Sequence, residues 1–181
     1  VREVNQSVSG IAVLSGVEVD ILADGTLDLP DELLRRLDLV IASVHYDRDM
    51  SEAEMTNRIV TAITRHPVSI LGHPTGRMIG SRDPYDVDLS AIMEAARDAS
   101  VVLEVNANPE RLDLSDQACR QAREAGVRLA ISTDAHSTGN LSLIRYGVDT
   151  ARRGWVEAHD VVNTKPLSEL RDVLTPGGAR E

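Results

Sequence analysis

Short apolar runs alternate along this chain with stretches whose apolar residues recur every three or four positions. The runs at 11–21, 38–44, 68–71, 101–105 and 127–132 are nearly continuous, as strands buried on both faces are. Helical spacing covers 30–37, 51–65, 89–99, 115–125 and 140–153, with shorter helical runs at 156–163 and 167–174. Residues 1–8 read as the end of a helix stopped by Gly10. Ser51 with Glu54 three residues later is a capping box, Pro30 suits a first helical turn, and Gly126 a helix stop. Strand and helix alternate throughout, which predicts an α/β fold on a parallel sheet. Tyr146 and Trp155 are expected to pack inward.

Composition narrows the picture. The chain has 181 residues, 42% of them apolar, with three Tyr, one Trp and no Phe. One domain with an aliphatic core follows, covering 1–174 and trailed by a flexible Pro/Gly-rich tail at 175–181. The net charge of −10 argues against tight independent DNA binding. It leaves a phosphate substrate open where cations neutralise it locally. The single cysteine, Cys119, fits a buried apolar role and a reducing cytoplasm. No apolar run is long enough to span a membrane.

Chemistry enters at the strand ends. Glu18, His45, His73, Asp134 and His136 each follow an apolar run, and so fall on one face of a parallel sheet. Two imidazoles and a carboxylate can fill three positions of a zinc or manganese ion and leave one for water. His66 and His159 lack that context and read as structural or exposed. In the loop after His73, Arg77 can grip a phosphate through two parallel hydrogen bonds, or pair with a nearby acid. Asn106 and Asn108 either orient ligands or shape a turn before Pro109.

With these residues placed, the sequence resembles the PHP (polymerase and histidinol phosphatase) domain found at the carboxyl end of bacterial family X DNA polymerases. The likeness rests on Gly72-His73-Pro74-Thr75-Gly76-Arg77, Glu104-Val105-Asn106-Ala107-Asn108-Pro109 with Arg111-Leu112-Asp113-Leu114, and Ser132-Thr133-Asp134-Ala135-His136. Leu14 to Ile21, Ala42 to His45 and Tyr146 to Trp155 extend it from Gly10 to about Leu174. The resemblance implies a TIM-like, distorted (βα)7 barrel and a centre of up to three divalent ions, Mn or Zn. It implies Glu18, His45, His73, Asp134 and His136 as ligands; Arg77, from the residue reading above, is expected to assist catalysis by neutralising the phosphate. It also implies a 3′–5′ exonuclease or 3′-end phosphoesterase acting on DNA in repair, within a protein that also carries a polymerase domain.

The family's domain opens with a His-x-His strand and two further ligands that have no counterpart here. The expectation is therefore an incomplete barrel lacking its first two strands. It would keep one well-formed metal site at Glu18, His45 and His73, have impaired activity, and expose a sheet edge that invites dimerisation. Two other functions stay open: a small-molecule phosphatase of the histidinol-phosphatase type, and an inactive structural module.

Overall fold

The structure, a computed structural model, describes residues 1–175. Five strands form one sheet: β1 (Gly16–Asp20), β2 (Leu39–Ser43), β3 (Ile70–Leu71), β4 (Val102–Asn106) and β5 (Leu129–Ser132). They lie in the order β1-β2-β3-β4-β5, and every neighbouring pair is parallel. Seven α-helices accompany them among the described residues: α1 (Arg2–Ser7), α2 (Asp31–Leu34), α3 (Glu52–Arg65), α4 (Leu89–Asp98), α5 (Asp116–Glu124), α6 (Ile144–Arg153) and α7 (Leu167–Leu174). The α/β class and all five strands match the pattern in the sequence. A singly wound parallel sheet of this order is compatible with an arc of a β/α barrel.

The pleat sorts the strand residues onto two faces. Val40, Ala42, Leu71, Leu103, Val105, Leu129 and Ile131 join the main core with Ile59 and Ile63 of α3, Ile92 and Met93 of α4 and Cys119 of α5. The opposite face changes character along its length. Ile41 aligns with Ile70 and Ile70 with Val102, and these pack with Ala130 against Leu170, Val173 and Leu174 of α7. Two residues further along, the same face presents Ser43, Glu104, Asn106 and Ser132, with Glu18 level with Ile41. One end of the face is therefore sealed by apolar packing, and the carboxyl end is polar.

The capping box at Ser51 and Glu54 forms as expected. Burial pushes the Cys119 thiol up to about 12, in keeping with a core side chain. Two amide side chains finish strand margins. Asn163 accepts from Ile131 N at 2.8 Å and donates to Ile131 O at 2.9 Å, covering the outer edge of β5. Asn5 does the same for Val13, with both contacts at 2.8 Å.

Arg58 of α3 is 2% exposed. Its guanidinium donates to Leu22 O at 3.0 Å, Tyr46 O at 3.2 Å and Asp47 O at 2.9 Å, and also to Ile21 O. The loops that leave β1 and β2 are thus tied to one buried cation.

Three readings are corrected. The strand expected over 11–21 begins only at Gly16. Asn5 occupies the main chain of Val13, and Asp38 takes both the N–H and the hydroxyl of Ser15, so the donors of this segment go to side chains and only Ser15 O reaches β2. Trp155 does not pack inward: it is 61% exposed, with the Arg120 guanidinium 4.2 Å from its ring centre. It follows the end of α6, where Gly154 lies so close to Asp116 O that a Cβ would come within 2.6 Å, and the chain turns away there. The run at 156–163 is two 3-10 turns, Ala158–Asp160 and Val162–Thr164. The expected tail lies, from residue 176 on, outside the described residues. No helix among the described residues is long and apolar enough to cross a membrane.

Candidate metal centre

Glu18, His45 and His73 stand at the carboxyl ends of β1, β2 and β3, and one donor atom from each lies within 4.8 Å of the others. These are the three residues that the sequence reading grouped into one site. Strands one place apart in a parallel sheet lie about 4.8 Å apart, so side chains at their ends converge without special loops.

The Glu18 carboxylate is held in place before any ligand arrives. Its Oε1 accepts from the Ser43 hydroxyl at 2.6 Å and lies 3.1 Å from His73 Nε2 and 3.6 Å from His45 Nε2. The His73 hydrogen bond, against the opposing effect of burial and with help from Ser43 and both imidazoles, pulls Glu18 down to about 2. It is a carboxylate throughout the neutral range. Gly72 makes room for this arrangement, because a Cβ there would sit 2.4 Å from Ser43 Oγ.

Each imidazole has its own support. His45 Nδ1 meets Asp20 Oδ1 at 2.5 Å, and a proton on Nδ1 leaves the Nε2 lone pair facing Glu18. A carboxylate behind a histidine is the usual way of fixing the tautomer of a metal ligand. His73 is buried with φ near +27°, a backbone that side chains seldom adopt. Two acids hold its loop. His73 N donates to Glu104 Oε2 at 2.6 Å, and Thr75 N to Asp113 Oδ2 at 3.0 Å. Burial raises the carboxyl groups of both Glu104 and Asp113 despite these bonds.

This donor set fits a divalent cation. His73 Nδ1 is buried without a hydrogen-bond partner, a cost that a purely structural histidine seldom carries. Asp20→Asn should weaken Mn or Zn binding by about 10–100-fold, read by titration calorimetry. Unchanged affinity would show that Asp20 does not orient His45.

A cavity of about 490 Å³ opens on this polar face. Its lining includes Glu18, His73, Glu104, Asn106, Ser132 and Asp134. Asn106 Nδ2 lies 3.3 Å from Asp134 Oδ2, while Asn108 accepts from Glu110 N and shapes the turn. Both asparagines shape the turn, as Asn106 Oδ1 also accepts from Asn108 N at 3.0 Å, and Asn106 alone reaches Asp134 as well. Asp134 shares the cavity but not the three-donor group, and the His136 side chain is 85% exposed on the loop beyond.

Arg77 is placed elsewhere. Its Nε donates to Arg111 O at 2.8 Å and its Nη2 to Leu112 O, so the guanidinium organises the turn at 111–112. The cation beside Asp134 is Arg111, with Nε 3.9 Å from Asp134 Oδ2 and Nη1 buried without a partner. Sequence reasoning assigned no role to Asp20, Ser43, Glu104 or Arg111. Glu104 carried a signal, since an acid inside an apolar strand needs buried partners. Ser43 and Asp20 carried none beyond their strand-end positions.

No family model matches the chain. It is 43% identical over 170 residues to the DNA polymerase/3′-5′ exonuclease PolX of Bacillus subtilis, covering 94% of this chain and 30% of that protein. It is 30% identical over 179 residues to a probable phosphatase of Thermoanaerobacter sp. (strain X514), covering 93% of this chain and 70% of that protein. A probable phosphatase of Vibrio parahaemolyticus is 29% identical over 180 residues, covering 94% and 70%.

Proposed function

We propose that this chain, which belongs to the family of the Thermoanaerobacter probable phosphatase, is a metal-dependent phosphoesterase domain of the PHP type acting on DNA 3′ ends. The observation that carries the reading is the convergence of Glu18, His45 and His73 at adjacent strand ends beside a polar cavity. The 43% identity to the Bacillus protein favours DNA over other phosphoesters, and the parent protein would also carry a polymerase. In this reading the sheet is an arc of a (βα)7 barrel.

Glu18, His45 and His73 would hold one divalent ion, Mn or Zn. A bound ion of this kind supplies an acidified water and offsets phosphate charge. Glu104 and Asp113 keep the His73 loop in its unusual backbone. Asp134 stands across the cavity as a donor for a further ion, and His136 joins only if its exposed ring turns inward. Arg77 is committed to the carbonyls of Arg111 and Leu112, so the cation nearest Asp134 is Arg111, 3.9 Å from its carboxylate.

The relatives named probable phosphatases favour a second reading, a small-molecule phosphatase, because the chain spans 70% of two of them. Turnover on a DNA 3′ end and on histidinol phosphate, each with Mn and with Zn, separates the two. Faster release from histidinol phosphate would overturn the DNA reading. No hydrolysis of either by metal-loaded protein would overturn both.

A further inference from the structure

A second cluster of chemistry lies on the two loops that carry His45 and His73, a few residues past each. Tyr46 is 70% exposed and stands edge-on to His45, with ring centres 6.4 Å apart. Arg48 and Arg82 converge on one acceptor: Arg48 Nη1 donates to Gly76 O at 3.0 Å and Arg82 Nε donates to the same oxygen at 3.1 Å. Gly76 permits this, since its φ is +61° and a Cβ would come within 2.5 Å of the Tyr85 ring. Tyr85, buried beneath, places its ring centre 5.2 Å from the Arg48 guanidinium carbon.

The pairing is unusual in a chain of net charge −10. Among the described residues, the hydrogen bonds of both guanidiniums go to main-chain carbonyls rather than carboxylates. Desolvation, with the neighbouring charges of Arg48 and Arg111, lowers the Arg82 pKa from its ordinary value. Two cations that share a carbonyl acceptor and make no ion pair with a carboxylate among the described residues favour an anion. They line an open hollow of about 440 Å³ with Tyr85 and Pro84. Asp49 and Asp83 share that lining, so the hollow is no general anion trap. It suits a phosphate delivered on a chain that is anchored elsewhere.

We propose that Tyr46, Arg48 and Arg82 form a subsite for single-stranded polynucleotide next to the metal centre. A base stacks on Tyr46, and an internal phosphodiester lies on Arg48 and Arg82. The subsite rests on the DNA reading above and deepens it, because it asks for a polynucleotide strand rather than a monophosphate. Exposed aromatics beside a basic track are how single strands are held without regard to sequence.

Fluorescence anisotropy with a labelled oligothymidylate, in EDTA to prevent cleavage, tests it. Tyr46→Ala should weaken binding about tenfold. The double substitution Arg48→Gln with Arg82→Gln should weaken it by a similar factor. It should also flatten the logarithmic salt dependence by about 0.7 for each phosphate that is no longer neutralised. Lysine at both positions should restore most of the affinity, and millimolar inorganic phosphate should not compete. Failure of the wild-type protein to bind the strand would overturn the subsite, as would variants that bind within twofold of it, or glutamine and lysine variants that lose equally. Because binding is read without hydrolysis, the two readings fail separately. Strand binding as described with turnover of histidinol phosphate alone would sink only the nuclease, and DNA cleavage indifferent to all three residues would sink only the subsite.

Discussion

His73→Ala should reduce divalent-metal affinity by at least about 100-fold, since loss of a mere supporting partner already costs 10–100-fold. The side chain is 3% exposed and supplies one of three converging donors, so no water-borne group can easily replace it. Removing it also strips Glu18 of the strongest influence holding its carboxylate near pKa 2, although Ser43 still donates to it. Metal-dependent phosphoester hydrolysis should fall in step. Elemental analysis after dialysis, together with calorimetric titration, reads the first effect. Retention of full metal content would show that the three-donor group is not the metal site. Thermal unfolding of the metal-free protein separates this from misfolding: the transition should stay cooperative but move to a lower temperature, because the variant loses the His73–Glu18 hydrogen bond and leaves a buried cavity.

Arg58→Met should destabilise the fold by about 4 kcal/mol, within the range where a named buried defect is required. The replacement fits the volume but strands the carbonyls of Ile21, Tyr46 and Asp47, while Leu22 O keeps its bond from Gly25 N. Urea unfolding followed by circular dichroism measures the loss as a lower midpoint. A change under about 1 kcal/mol would mean that water satisfies these carbonyls and that Arg58 is no anchor. The same substitution should loosen the loops behind Asp20 and His45, so metal affinity should fall as well. Arg58→Lys should recover only part of the stability, because an ammonium cannot reach four carbonyls from one planar fork.

Much of the site was legible because a parallel sheet turns sequence position into spatial position. An apolar run names a strand, and the first polar residue after it falls at the carboxyl edge. Glu18, His45, His73, Asp134 and His136 were picked out this way, and the first three converge. Arg77 shows where the rule stops: a loop residue's direction depends on which carbonyls its loop leaves unpaired, and here Arg111 and Leu112 claim it. Trp155 shows the same limit. It was expected to pack inward just past a helix, but the close approach at Gly154 turned the chain outward.

The sequence by itself determined the α/β class, the five strands, the capped α3 helix and the five strand-end candidates from which the donors come. These follow from local periodicity and from the fixed spacing of parallel strands; the grouping of Glu18, His45 and His73 came from the family resemblance. Tertiary structure alone decided what supports the donors: Asp20 behind His45, Ser43 against Glu18, Glu104 and Asp113 under the His73 loop, and Arg58 beneath two strand exits. Each of these joins residues far apart in the chain, as Glu104 and His73 are 31 positions apart. No local pattern encodes such pairings, because they are set by which buried polar groups must find partners once the sheet has formed.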